Sequence, residues 1–144
     1  MLKGIPRILS PELLKILMEM GHGDEIVLAD ANFPAASHAR RLVRCDGHGI
    51  PELLDAILRL FPLDAYVDKP AALMQVVPGD PVETPVWGTY EAIIRDKTQR
   101  SNPFEEVERL AFYDRAKQAF AIVATGENAL YANLILKKGV IGGL

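Results

Sequence analysis

The residues best suited to chemistry at neutral pH are His22, Asp30 and Asp64. An imidazole has an unperturbed pKa of about 6.5, so it can take and give protons near neutrality. His22 stands between two glycines in Met20-Gly21-His22-Gly23-Asp24-Glu25-Ile26-Val27-Leu28-Ala29-Asp30. Gly21 and Gly23 can both adopt positive φ, so the chain can turn sharply on either side of the imidazole and leave it at the mouth of a pocket. Asp30 falls where a short apolar run stops, the strand end at which α/β proteins place ligand contacts. Tyr113 and Tyr131 add hydroxyls, and Asn133 adds an amide. Histidine, aspartate, tyrosine and asparagine without a cysteine ligand form the inventory of a site for a neutral polyol. The plainer reading is a helix-to-strand turn of solvated charges, two half-buried tyrosines, and Asp64 as a turn residue.

Several chemistries lack their motifs. There is no GxGxxG and no GxxxxGK[ST], so nucleotide phosphates have no usual cradle. There is no HExxH, no Cys/His cluster for zinc and no GxSxG elbow. A metal-dependent hydrolase built on His22, Asp24, Glu25 and Asp30 would have a poor ligand set. No metal and no cofactor is therefore expected. A net charge of −3 and a pI near 5.6 argue against a nucleic-acid surface. Cys45 is the only cysteine, so no internal disulfide forms and a reducing compartment, the cytoplasm, is expected. No apolar run approaches the ~20 residues of a membrane helix, and the first ten residues lack signal-peptide features.

The elements that must position these groups are short. Ser10-Pro11-Glu12 starts a helix whose Leu13, Leu14, Leu17 and Met18 share a face, and Gly21 stops it. Ile26–Ala29 reads as a buried strand, and Asn32-Phe33-Pro34 as a loop over its end. Leu42–Cys45 is a second strand. Pro51 opens a second helix that Pro62 ends. Ala71–Val77 reads as a strand, Pro78–Pro85 as a turn-rich loop, and Thr84-Pro85 as the start of a third helix carrying Val86, Tyr90, Ile93 and Ile94. Arg95–Asn102 reads as polar and exposed. Val107 to Arg109 reads as extended, leading into a helix with Tyr113, Arg115 and Lys117. Phe120–Ala124 and Leu134–Leu136 are the last strands. His38 and His48 fall in loops as solvated residues, Trp87 reads as packing, and Cys45 as an inert core residue. The alternation predicts one α/β domain over residues 1–144, layered α/β/α, with a mainly parallel sheet or a mixed one. The chain is small for a sheet covered on both faces, so packing between copies is expected to complete the cover.

The order of motifs carries a family resemblance. Ser10-Pro11-Glu12-Leu13-Leu14, the Met20–Ile26 turn and Ala29-Asp30-Ala31-Asn32-Phe33-Pro34 are followed by Asp46-Gly47, Ile50-Pro51-Glu52-Leu53-Leu54 and Pro62-Leu63-Asp64. Phe112-Tyr113-Asp114-Arg115-Ala116-Lys117, Ala119-Phe120-Ala121, Ala124-Thr125-Gly126-Glu127, Tyr131, Asn133 and Leu136-Lys137-Lys138-Gly139 complete it. The chain resembles the fucose branch of the family that L-fucose mutarotases share with D-ribose pyranases, most weakly over residues 37–42 and 79–106. The resemblance implies a compact α/β enzyme that interconverts sugar anomers, L-fucose first and related monosaccharides such as D-ribose next. It also implies ring-shaped homo-oligomers, often decamers, with the site near a subunit boundary.

In that likeness His22 is the proton-transfer residue and Asp30 its catalytic partner and sugar ligand. Asp64, Arg109, Tyr113, Tyr131 and Asn133 match other sugar-contacting positions. Ala132 departs from the pattern, since relatives usually carry glycine there. Whether Asp30 fixes the His22 tautomer or binds a sugar hydroxyl is left open. The rival from another class is a non-catalytic monosaccharide-binding accessory protein with the same pocket. The retained His22 favours turnover, because binding alone needs no group that titrates near neutrality.

Overall fold

A computed structural model describes residues 1–143. Alternation along the central strand, β1 (Glu25–Ala29), divides the molecule into layers. Ile26 and Leu28 point into one apolar cluster, and Val27 and Ala29 into another on the opposite face. Period-two geometry sends successive side chains to opposite faces, so a strand buried on both sides reads as a continuous apolar run. The larger cluster is covered by α1 (Pro11–Glu19), α3 (Ile50–Leu58) and α4 (Pro85–Thr98); the smaller by α2 (Ala35–His38) and α5 (Arg109–Gln118).

The remaining strands are β2 (Leu42–Cys45), β3 (Ala71–Met74), β4 (Phe104–Val107), β5 (Ala121–Thr125) and β6 (Leu134–Lys137). Their order across the sheet is β2-β5-β1-β6-β3-β4. Pairings β2–β5, β5–β1 and β3–β4 are parallel, whereas β6 runs antiparallel to both neighbours, β1 and β3. The sheet is thus mixed and mostly parallel within an α/β/α sandwich.

Local chemistry explains the boundaries. Ser10 Oγ accepts the Leu13 N–H at 3.1 Å and Pro11 occupies the first turn of α1. Glu127 Oε1 accepts the Ile50 N–H at the start of α3, and the Glu52 carboxylate accepts that of Gly49. The strand predicted over Ala71–Val77 leaves the sheet after Met74, where the chain prepares for the Pro78-Gly79 turn. Two elements lie in stretches without a readable period. Helix α2 is four residues, one turn, within the stretch read as loop. Strand β4, Phe-Glu-Glu-Val, pairs only with β3 at the sheet's edge. Helix α4 also continues through Arg95–Thr98, which reads in sequence as a polar exposed stretch.

Candidate active site

Two groups of side chains form, one at each edge of the sheet. At the first edge, β1 leads into Asp30, β3 ends at Met74, and β4 leads to Arg109 at the start of α5. Because β6 is inverted, its preceding residues Tyr131 and Asn133 arrive at this same edge. A parallel β6 would carry them to the other one. A cavity of about 200 Å³ results, lined by Asp30, Phe33, Arg109, Tyr113, Tyr131 and Asn133 among others. That is below the usual range of drug-sized pockets and suits a small ligand.

Asp30 is 7% exposed. Its N–H donates to Asn133 Oδ1 at 2.8 Å, and its Oδ1 accepts the Asn32 N–H at 3.0 Å. Burial pushes the Asp30 carboxyl up from its ordinary value, against the pull of backbone N–H groups from Asn32, Ala132 and Phe33. With its oxygen engaged, Asn133 keeps its two N–H donors for the cavity. Arg109 lies over the Tyr113 ring one turn further along α5, 5.3 Å from its centre. The Glu108 carboxylate caps that helix through the Leu110 and Ala111 N–H groups.

Tyr131 has φ +54°, an uncommon conformation for a bulky residue and one that its surroundings must enforce. Trp87 Nε1–H donates to the Tyr131 carbonyl at 2.8 Å, and the buried Tyr90 hydroxyl donates to the Ala132 carbonyl at 2.8 Å. Both donors come from α4. The Tyr131 hydroxyl donates to Asp80 Oδ2 at 2.8 Å. Ala132 itself is not in the positive-φ region, and its methyl is buried in the larger core cluster. The departure from glycine is therefore accommodated without strain. Trp87 both packs, as expected, and fixes this turn. His38 differs from expectation: its ring lies in an aromatic group with Phe33 and Tyr113, at 6.1 and 5.6 Å, instead of standing free in solvent.

The second group is at the opposite edge. His22 Nε2 lies 3.2 Å from Asp64 Oδ1, which also accepts the Tyr66 N–H at 3.0 Å. His22 is 47% exposed and Asp64 3% by side chain. Burial disfavours the Asp64 charge, but the Tyr66 N–H, His22 and Lys137 outweigh it and hold the carboxyl below its ordinary value. An ionised carboxylate only accepts, so Nε2 carries the proton and the neutral ring keeps Nδ1 as its base. Of the two glycines, only Gly23 takes positive φ, at +87°. Asp24 Oδ2 accepts the Gly21 N–H at 2.8 Å and closes the turn.

Within one chain two expectations change and one open alternative is decided. His22 is not at the mouth of the cavity, because β1 separates it from Asp30 by roughly 15 Å at strand rise. Asp30 does not orient His22; Asp64 does. Asp64 in turn does not line the cavity. The structure brings together Asp30, Arg109, Tyr113, Tyr131 and Asn133, and separately His22 with Asp64.

Sequence reasoning also missed supporting residues. Arg100 donates to the carbonyls of Asp64, Val67 and Asp68 and pins the segment that holds Asp64. Lys138 Nζ donates to the carbonyls of Leu17 and Met20 at the end of α1, while its backbone bonds Gly23 and Asp24. A basic residue at a helix C-terminus is a readable signal only once the fold shows which helix it meets.

Comparison with known proteins agrees with this architecture. The RbsD / FucU transport protein family is matched over residues 3–141. Human fucose mutarotase is 57% identical over 146 residues, covering 97% of this chain and 94% of the human one. The fucose mutarotase of Streptococcus pneumoniae, solved in complex with L-fucose, is 58% identical with a TM-score of 0.93, covering 98% of this chain and 100% of that one. FucU of Bifidobacterium longum is 56% identical with a TM-score of 0.95, covering 97% and 100%. The chain belongs to the RbsD / FucU family.

Proposed function

We propose that this chain is a sugar mutarotase that interconverts the α and β anomers of L-fucose. The observation that carries the reading is the convergence of Asp30, Arg109, Tyr113, Tyr131 and Asn133 on one small cavity at the carboxyl edge of the sheet. The pneumococcal relative, seen with L-fucose, supports the substrate. Mutarotation removes a proton from the anomeric hydroxyl and delivers one to the ring oxygen. The bond between the anomeric carbon and the ring oxygen breaks, an aldehyde forms, one single bond rotates, and the ring recloses on the other face. The reaction transfers protons and breaks and remakes one C–O bond with no change of oxidation state, so it needs a titrating group and hydroxyl contacts and asks for no cofactor. Asp30, with its carboxyl pushed up by burial, is placed to accept from a sugar hydroxyl.

The His22–Asp64 pair supplies the second proton-transfer group, and a neighbouring copy brings it to the cavity. Its exposed imidazole and the apolar surface beside it support this. Leu2, Met18, Leu60 and Ile141 are exposed there, around a hollow of about 550 Å³ that also reaches Lys138 and Gly139. The assembly in this reading is a homo-oligomer, a ring such as a decamer. Among the described residues no helix is long and apolar enough to cross a membrane. With one buried, unpaired cysteine, the chain fits the cytoplasm.

Phe33, 8% exposed, lines the cavity beside Met74 and Leu130, an apolar wall suited to the C6 methyl of L-fucose. One methyl typically changes discrimination by about 1–3 kcal/mol, so D-ribose is turned over more slowly without being excluded. The test is NMR magnetisation exchange between the anomeric protons of L-fucose, with and without protein. Binding without faster exchange would leave a sugar-binding accessory protein in its place.

A further inference from the structure

The loop after β3 is built to place one carboxylate. Val77-Pro78-Gly79-Asp80 closes with the Asp80 N–H donating to the Val77 carbonyl at 3.0 Å. Proline in second place and Gly79 at φ +89° in third are the chemistry of a type II turn. Asp80 Oδ1 accepts the Val82 N–H at 3.2 Å, and Oδ2 accepts the Tyr131 hydroxyl at 2.8 Å. The Val77 N–H donates back to the Tyr131 oxygen at 3.3 Å. Asp80 does not line the cavity, whereas Tyr131 and Val77 do.

We propose that Asp80 is a positioning residue of the sugar site, which by accepting the hydrogen bond of the Tyr131 O–H leaves that hydroxyl able only to accept from the sugar. The proposal rests on the mutarotase reading. A phenol has one proton and two acceptor positions. Asp80 engages the O–H as a hydrogen-bond acceptor and the Val77 N–H occupies one acceptor position, so the oxygen meets a sugar only with its remaining acceptor position. Asn133 is fixed in the complementary sense, its oxygen on the Asp30 N–H and its N–H groups free. The wall therefore has a set polarity: Tyr131 accepts, Asn133 and Arg109 donate. A sugar hydroxyl facing Tyr131 must donate a hydrogen bond to it, while the anomeric proton itself passes to a titrating group such as Asp30. Tyr131 cannot protonate the ring oxygen, and that step is left to the imidazole. The Asp80 hydrogen bond also holds the Tyr131 phenol above its ordinary value, against the Val77 N–H, so it stays protonated through the neutral range.

The experiment compares Asp80→Ala, Asp80→Asn, Tyr131→Phe and the Asp80→Ala/Tyr131→Phe double variant. Each is measured for L-fucose anomer exchange, for equilibrium L-fucose binding, and by NMR titration of ring-labelled tyrosine. Asp80→Ala should slow exchange about tenfold, the scale of one lost hydrogen bond to a charged partner. It should also move the Tyr131 titration down toward its ordinary value. Asp80→Asn, which retains an acceptor, should recover most of the exchange rate even if the alanine variant folds poorly. In the Tyr131→Phe background, Asp80→Ala should change exchange by less than about twofold, because coupled residues do not add. Independent, multiplying losses or an unmoved Tyr131 titration would overturn the proposal. Wild-type protein that binds L-fucose without exchanging it would sink the mutarotase reading alone, and binding with titration would still judge Asp80. L-fucose that neither binds nor exchanges overturns both.

Discussion

A carboxylate buried like Asp30 works against the fold that holds it. Its folded pKa is raised above the unfolded value, so the ionised form at neutral pH is less favourable in the native state than in the unfolded chain. The penalty is present above the folded pKa and fades as pH falls through it. Asp30→Asn keeps an acceptor for the Asn32 N–H and discards the charge. We expect it to be at least as stable as wild type to urea at pH 7, with the difference shrinking in acid, while anomer exchange collapses. A less stable Asp30→Asn at pH 7 would show that the charge supports the fold. His22 poses the opposite case: its half-exposed ring contributes little packing, so His22→Gln should fold normally. Glutamine still hydrogen-bonds but does not titrate, so exchange should fall about 10²–10⁴-fold with L-fucose affinity nearly kept. Exchange at the wild-type rate would leave Asp30 as the proton-transfer group. Asp64, held below the ordinary carboxylate range, stays ionised at neutral pH and contributes no titration of its own there.

At the scale of elements, close packing sets the geometry of the His22–Asp64 pair. A Cβ on Gly139 would lie 2.8 Å from both the Leu63 carbonyl oxygen and Asp64 Cα, backbone atoms that cannot rotate away. Gly139→Ala should cost about 1–3 kcal/mol, as overpacking does, and should lower exchange more than L-fucose binding by moving Asp64 off the imidazole. Thermal unfolding together with exchange rates checks it; an unaltered ratio of exchange to binding would separate Gly139 from His22. This contact was not legible in the sequence, where Gly139 stands only at the end of the Leu136-Lys137-Lys138-Gly139 motif. Strands β1, β5 and β6 were legible, because burial on both faces writes them as apolar runs, and the edge strand β2 was legible through Leu42, Val43 and Cys45 around an exposed Arg44. Strand β4 was not, because an edge strand with Glu105 and Glu106 facing water has no such run. The residues meeting at the cavity were recognised through motifs, but their division between two edges depends on the direction of β6. One local signal bears on that direction. Only eight residues separate Thr125 from Leu134, too few for the parallel crossover of about a dozen or more.

If the proposed roles hold, the whole molecule must reconcile a proton-transfer pair at one edge of the sheet with a sugar cavity at the other. Among the described residues no side chain spans β1, so on the proposed reading one copy on its own holds two half-sites. Joining the cavity edge of one copy to the His22 edge of the next uses two different surfaces, a head-to-tail contact that generates a ring when the rotation closes. The exposed Leu2, Met18, Leu60 and Ile141 give that contact an apolar component that a solitary chain leaves in water. Complementation tests the arrangement directly. His22→Gln subunits retain Asp30, and Asp30→Asn subunits retain His22, so each variant alone should be inactive. Co-expressed at equal levels and assembled at random, about a quarter of the sites should pair an intact Asp30 with a neighbour's intact His22. Anomer exchange should then return to about a quarter of the wild-type rate, and light scattering should show an assembly of wild-type size. If both residues acted within one chain, every mixed site would still lack one of them, and the co-expressed protein would be as inactive as its parents.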